Sequence, residues 1–264
     1  MRIISRSLYY FGSIKTLLEG INDPLRTIKM FLGRPGLFQA EIQLRRTGWR
    51  FAVRTKMDIW VIKETCLDED YLWAVAGLGP DWNIVDIGAG LGDFTVYAAK
   101  HCPDGVVLAY EPLPESFDLL QRNLAINAIT NVQAYNLATA ETSSSLALEE
   151  VEREAVSTRF VVDKSSSRET TAVQLEHVLD LLPNGRCDFM KIDCEGCEYD
   201  LILNSRPEVL HRINRISMEY HDEITANSGL DLAEHLTSLG FIVQMRKNPV
   251  HDVLGFLYAE KSLL

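Results

Sequence analysis

The sequence predicts an α/β fold, a mostly parallel sheet with helices on both faces. Two observations predict it: from Trp82 onward short apolar runs alternate with helical segments, and the first run ends in a glycine-rich turn. Fully apolar runs belong to strands buried on both faces, which requires a helical layer on each side. In order, residues 83–87 read as a strand and 94–100 as a helix, then 106–110 as a strand and 114–128 as a helix opened by Pro114. Residues 132–137 give a third strand and 189–192 the next, followed by a helix over 199–203. A strand at 215–219 and a helix at 230–239 precede a hairpin of 241–245 and 254–259, with Asn248-Pro249 in its turn.

Two regions depart from this pattern. Residues 1–80 read as an N-terminal cap on a main domain at 81–264, with strand-like alternation over 49–62 and Asp68 as a helix N-cap ahead of Tyr71. Residues 140–170 are rich in Ser, Thr and Glu and read as an insertion, with short strands at 145–148 and 160–162 and a lid or substrate role.

A net charge of −11 disfavours nucleic acid as a partner, because a phosphate backbone needs an excess of Lys and Arg on the contact face. No apolar run reaches bilayer length. The N-terminal 21 residues mix Arg2, Arg6 and Lys15 with Leu8, Tyr9, Tyr10 and Phe11, and lack a signal peptide's apolar centre. They read as a helix docked on the domain, with contact to a membrane surface as the lesser alternative. Five irregularly spaced cysteines, Cys66, Cys102, Cys187, Cys194 and Cys197, read as reduced thiols and a cytoplasmic protein. The Cys194-Glu-Gly-Cys197 spacing reads as incidental.

The turn Asp86-Ile-Gly-Ala-Gly-Leu-Gly92 between strand and helix is a nucleotide-binding arrangement, since glycines let the backbone approach a ligand closely. Glu111 ends the second strand, where a carboxylate can accept both hydroxyls of a ribose. A dinucleotide fingerprint needs a third glycine where Asp93 stands, and a carboxylate there opposes a pyrophosphate. Asp86 and Asp93 instead suit a ligand with a ribose, an ammonium and no phosphate, which describes S-adenosylmethionine. A nicotinamide-dependent oxidoreductase and a non-catalytic binding protein are the alternatives.

The chain resembles the FkbM family of S-adenosylmethionine-dependent methyltransferases. The matching pieces are Val85-Asp-Ile-Gly-Ala-Gly-Leu-Gly92 with Thr95, and Tyr110-Glu-Pro-Leu-Pro114 with Leu120, Asn123 and Asn127. Asn136-Leu-Ala138, Phe189-Met-Lys-Ile-Asp-Cys-Glu-Gly-Cys-Glu198 and Glu219 in Ser217-Met-Glu-Tyr-His221 follow. Gly90 stands where the family often has Asn. The resemblance implies the Rossmann-like class I methyltransferase fold, a seven-stranded sheet in order 3-2-1-4-5-7-6 with the last strand antiparallel. It also implies O-methylation of a sugar, glycolipid, polysaccharide or secondary metabolite. The cofactor set expected is Asp86, Gly88, Ala89, Gly90, Glu111, Pro112 and Asn136.

A hydroxyl is a poor nucleophile near neutral pH, so a general base is expected at the C-terminal ends of the strands. The candidates are Asp193, Glu195 and Glu198 after one strand and Glu219, His221 and Asp222 after the next. His221 has the ordinary pKa for the task, with Glu219 or Asp222 to orient it; Glu195 could bind a sugar or act as base. Asp193 reads as a neighbour of the cofactor's methionine end or of the acceptor. The carboxylates could also hold Mg²⁺, a lesser reading, and no metal is assigned.

Overall fold

The structure, a computed structural model, describes residues 2–32, 39–142, 145–150, 158–161 and 168–262. The Ser165-Ser-Ser167 tract noted in the sequence lies outside the described residues. Helices α1 (Arg2–Gly20) and α2 (Pro24–Leu32) precede a hairpin of β1 (Ala40–Gln43) and β2 (Arg50–Val53), then α3 (Lys56–Cys66). The central strands and helices are β3 (Ile84–Ile87), α4 (Asp93–His101), β4 (Val107–Tyr110), α5 (Pro114–Ile126) and β5 (Val132–Tyr135). The insertion forms β6 (Ala138–Thr139), β7 (Ser145–Glu150), β8 (Thr158–Val161) and β9 (Arg168–Val173). The chain continues with α6 (Leu175–Asp180), β10 (Phe189–Ile192), α7 (Cys197–Asn204), α8 (Pro207–Leu210) and β11 (Arg215–His221). It ends on α9 (Gly229–Ser238) and the hairpin of β12 (Phe241–Lys247) and β13 (Leu254–Lys261).

Seven strands form one sheet in the order β12-β13-β11-β10-β3-β4-β5. Only β13 runs antiparallel to its neighbours, so from the β5 edge the order is the expected 3-2-1-4-5-7-6. Strands β3, β4 and β10 are buried along their whole length, as their unbroken apolar runs require. The described residues of the insertion and its flanks form a second, four-stranded sheet, β6-β9-β7-β8.

The N-terminal segment differs from its sequence reading. Strand alternation stops at Val53 because Thr55 and Asp58 form a capping box that starts α3. Asp68 does not cap a helix; it pairs with the buried Lys63 at 2.5 Å, and Glu69, at φ +57°, precedes a single turn at Asp70–Leu72. The segment is attached to the main domain by two asparagines, Asn123 on α5 and Asn127 at its C-cap. Asn123 accepts from the Ala52 N–H at 2.7 Å and donates to the Ala52 and Leu91 carbonyls. Asn127 accepts from the Arg50 N–H and donates to its carbonyl. The two side chains complete the hydrogen bonding of β2 in place of another strand.

Replacing Asn123, which is fully buried, by Leu strands one N–H and two carbonyls. A loss of about 3 kcal/mol is expected, read as a lower urea midpoint at unchanged m-value. An unchanged midpoint would show that water replaces the side chain.

Candidate functional site

A cavity of about 1000 Å³ lies at the C-terminal ends of β3, β4, β10 and β11, lined by residues from 9 to 256 of the chain. This is where an open α/β sheet presents its ligand crevice. The glycine turn forms one wall. The Gly88 and Ala89 N–H groups both donate to the Tyr110 carbonyl, which fixes the turn to β4. Gly88 has φ +72°, and a Cβ there would lie 1.8 Å from the Asp193 carbonyl oxygen. Gly90, at φ +54°, has nothing within 4 Å of where a Cβ would stand, so the cavity comes up to its backbone.

Glu111 projects beside it. One carboxylate oxygen accepts the Gly90 N–H at 2.8 Å and the other the Leu113 N–H at 2.9 Å. Burial nevertheless pushes its pKa up to about 7, against the pull of those two N–H groups and of Lys191. Each oxygen keeps a lone pair, so the group can accept two further hydroxyls. Asp93, at the first turn of α4, also lines the cavity, with its pKa raised to about 6 by burial.

Lys191 joins this wall, with 4% of its surface exposed. Its ammonium donates to the Gly88 carbonyl at 2.7 Å and lies 3.3 Å from Asp86 and 3.9 Å from Asp193. Burial works against its charge, but Asp86, Asp193 and Asp93 together hold its pKa above the ordinary value. Asp86 is fully buried and takes the Thr95 hydroxyl at 2.6 Å. It therefore faces Lys191 and Thr95, and among the expected residues Gly88, Gly90, Glu111, Pro112, Asp193 and Glu195 line the cavity while Asp86, Ala89 and Asn136 do not. Asn136 donates to the Glu111 and Pro112 carbonyls, bracing the loop that carries the carboxylate.

The loop after β10 and the end of β11 add further acidic groups. Glu195 and Gly196 take positive φ in succession, +54° and +116°, a turn that keeps Glu195 on the cavity wall. Glu219 on β11 lines the cavity too, and burial, then the charge of Asp193, lift its pKa to about 8 despite the opposing charge of His221. Tyr71 closes the base: its hydroxyl donates to Asp193 at 2.7 Å, and its carbonyl accepts from the buried Ser217 at 2.7 Å. The sequence reading assigned no role to Lys191 or Tyr71, although Lys191 stands inside the matched Lys191-Ile-Asp string.

His221 lies away from the cavity at which the reading expected it. It is 4% exposed, off the cavity wall, and its Nδ1 hydrogen-bonds Glu198 at 3.0 Å while Nε2 lies 3.5 Å from Glu195. Burial opposes its charge, but the hydrogen bond and charge of Glu198, with Glu195 and Glu219, raise its pKa to about 10. The ring is thus held by Glu198 and away from the cavity wall, where the reading looked for a base. Nor do Glu219 or Asp222 orient it; Glu198 does, while Asp222 accepts from Tyr199 and the Gly229 N–H. Asp193, Glu219 and His221 each offer one potential ligand atom within 4.8 Å, but a metal there requires the imidazolium to lose its proton.

The cysteines also correct the reading. Cys194 and Cys197 form a disulfide across the Glu195-Gly196 turn, with Cα atoms 5.4 Å apart, while Cys66, Cys102 and Cys187 are free. The left-handed residues between them bring the two ends together.

The two glycines predict different failures. Gly88→Ala meets backbone and should prevent stable folding. Gly90→Ala fits the free protein at about 1 kcal/mol of backbone strain but fills the approach to the turn. It should fold with near wild-type circular dichroism and lose ligand affinity at least tenfold by calorimetry; retained affinity would remove the glycine wall from the site.

Comparison with known proteins accords with this geometry. The Methyltransferase FkbM domain matches residues 86–243. Methyltransferase 1 of Beauveria bassiana is 30% identical over 184 residues, 62% of this chain and 73% of that protein. Methyltransferase sdnD of Sordaria araneosa is 26% identical over 182 residues, 57% and 70% of the respective chains. The solved structure of methyltransferase FkbM from Methylobacillus flagellatus shares the fold, with a TM-score of 0.50 at 15% identity over 71% of this chain and 45% of that one. The nicotinamide-dependent and non-catalytic alternatives give way to an enzyme of the methyltransferase type. With the domain matched over more than half of its length, the chain belongs to the FkbM methyltransferase family.

Proposed function

We propose that the protein is an S-adenosylmethionine-dependent O-methyltransferase acting on a hydroxyl of a sugar, glycolipid or secondary metabolite, with Glu219 as general base. The observation that carries the proposal is Glu219, a buried carboxylate lining the same cavity as the glycine turn, where burial and the charge of Asp193 raise its proton affinity. A carboxylate poised near neutral pH is matched to removing a hydroxyl proton.

The residues present fit the cofactor. Glu111 can accept both ribose hydroxyls, and Gly90 leaves room for the sugar to reach the backbone. Asp93 and Asp193 offer negative charge to an ammonium, and Lys191, buried beside them, keeps several carboxylates together in one low-dielectric site. When bound, S-adenosylmethionine supplies an electrophilic methyl group. Holding the acceptor oxygen in line with that group provides much of the acceleration, and Tyr71 fixes Asp193 for this positioning. Glu219 then takes the hydroxyl proton on its carboxylate. Glu195 is placed to hold a second acceptor hydroxyl, and His221⁺ restrains Glu195 from behind.

Calorimetry with S-adenosylhomocysteine tests the cofactor: absence of binding at high micromolar ligand would sink it. Glu219→Gln should lower kcat by about 10²–10⁴-fold while cofactor affinity stays within a factor of two; wild-type turnover would remove Glu219 as base. Activity of the wild type should rise with pH through about 8, because only the ionised group accepts a proton. Stability should move the other way. The folded pKa lies above the ordinary 4.5, so this group's contribution is full below 4.5 and is lost as pH rises through about 8. Glu219→Gln should therefore have a higher urea midpoint than wild type above that range, with the difference vanishing in acid.

A further inference from the structure

We infer that the methyl acceptor carries a long alkyl or acyl chain, which α1, α2 and α3 hold along the part of the cavity that they line. The inference rests on the O-methyltransferase reading and narrows its substrate class.

Three helices each turn one stripe toward this part. On α1, Ile14, Leu17 and Leu18 line it; on α2, Thr27, Ile28 and Phe31; on α3, Met57, Trp60 and Val61. The spacings of three and four residues are those of helix faces that ordinarily pack against a core. Leu17, Phe31 and Val61 do pack on the core beneath, and all nine also border one cavity that Glu111 and Glu219 line as well. The cavity as a whole, about 1000 Å³, is at the top of the range for small-molecule sites, which leaves room for an acceptor beside the cofactor.

The polar groups of this part are largely engaged with one another. Glu64 accepts from the Tyr9 hydroxyl at 2.8 Å and from the Trp60 indole N–H at 2.7 Å, and the Thr27 hydroxyl donates to the Asp23 carbonyl. A sugar chain lying here would bury hydroxyls against Ile, Leu and Phe side chains, at about 1–3 kcal/mol for each left unpaired. An apolar chain meets no such penalty. Ile14 and Leu18 line the cavity yet remain 48% and 36% exposed, so this wall is also its open side. Beside it Phe11 and Leu25 are each 72% exposed. The acceptor that fits is amphipathic, a hydroxylated head at Glu219 and an apolar tail under the N-terminal helices.

The test is calorimetry of the full chain with alkyl β-D-glucosides from methyl to decyl, each below its critical micelle concentration, with and without S-adenosylhomocysteine. Affinity should climb about threefold or more per methylene, with a negative heat-capacity change. Ile28→Asp should flatten the series while leaving the affinity for S-adenosylhomocysteine unchanged. Leu25→Asp, exposed and off the cavity wall, should leave the slope intact. A flat series in the wild type, or an unaltered slope in Ile28→Asp, would overturn the inference. So would a concentration-dependent dimer that Ile28→Asp dissociates and that shows no chain-length dependence, since a second copy would then cover the face. Loss of the Leu25→Asp slope would overturn it too, by moving adhesion to the outer surface. Failure of the methyltransferase reading is seen separately, as missing heat with S-adenosylhomocysteine.

Discussion

The buried ammonium of Lys191 is the interaction on which the rest of the site depends. It lies where β3 and β10 run side by side, and each strand delivers a carboxylate at or just beyond its end, Asp86 from one and Asp193 from the other. The cation between them offsets the repulsion of two carboxylates brought this close. The same ammonium takes the Gly88 carbonyl, so the glycine turn and the loop after β10 share one anchor. Close approach does the rest: the Asp193 carbonyl occupies the space a side chain at position 88 would need.

Two cations brace the site: Lys191 on the cavity wall, held by the buried Asp86, and His221 off it, held by the buried Glu198. Beside Lys191 stand carboxylates with raised pKa values, Asp93, Glu111 and Glu219. Glu198 fixes backbone as well: its two oxygens take the Gly196 and His221 N–H groups, joining the turn after β10 to the end of β11.

Much of the fold was legible because it rests on local pattern. The apolar runs of β3, β4 and β10 and the glycine spacing are contiguous in sequence, and they located the sheet and one wall of the cavity. What was not legible depends on long-range contact. The surroundings of His221 are set by Glu198, some two dozen residues earlier, and by Glu195 beyond it, which the ordinary pKa of a histidine does not show. Asp86 reads as a ligand contact at the end of a strand, yet its direction is decided by Thr95 and Lys191. The 49–62 stretch alternates like a strand, but the capping pair Thr55 and Asp58 outweighs alternation beyond Val53. The stripes of α1 to α3 carry a period that any docked helix would show; that they border one cavity is a tertiary fact.

Tyr71 carries a last consequence. The recognisable family domain begins at residue 86, but Tyr71 is bound through its carbonyl to β11 and through its hydroxyl to Asp193, and α3 supplies cavity wall before it. The boundary of resemblance is therefore not a seam of the molecule. Grafting or truncating at the edge of the shared domain would deliver a sheet with its glycine turn and leave behind the floor of the reaction chamber. Modularity in this chain is a property of its sequence comparison, and its working unit is larger.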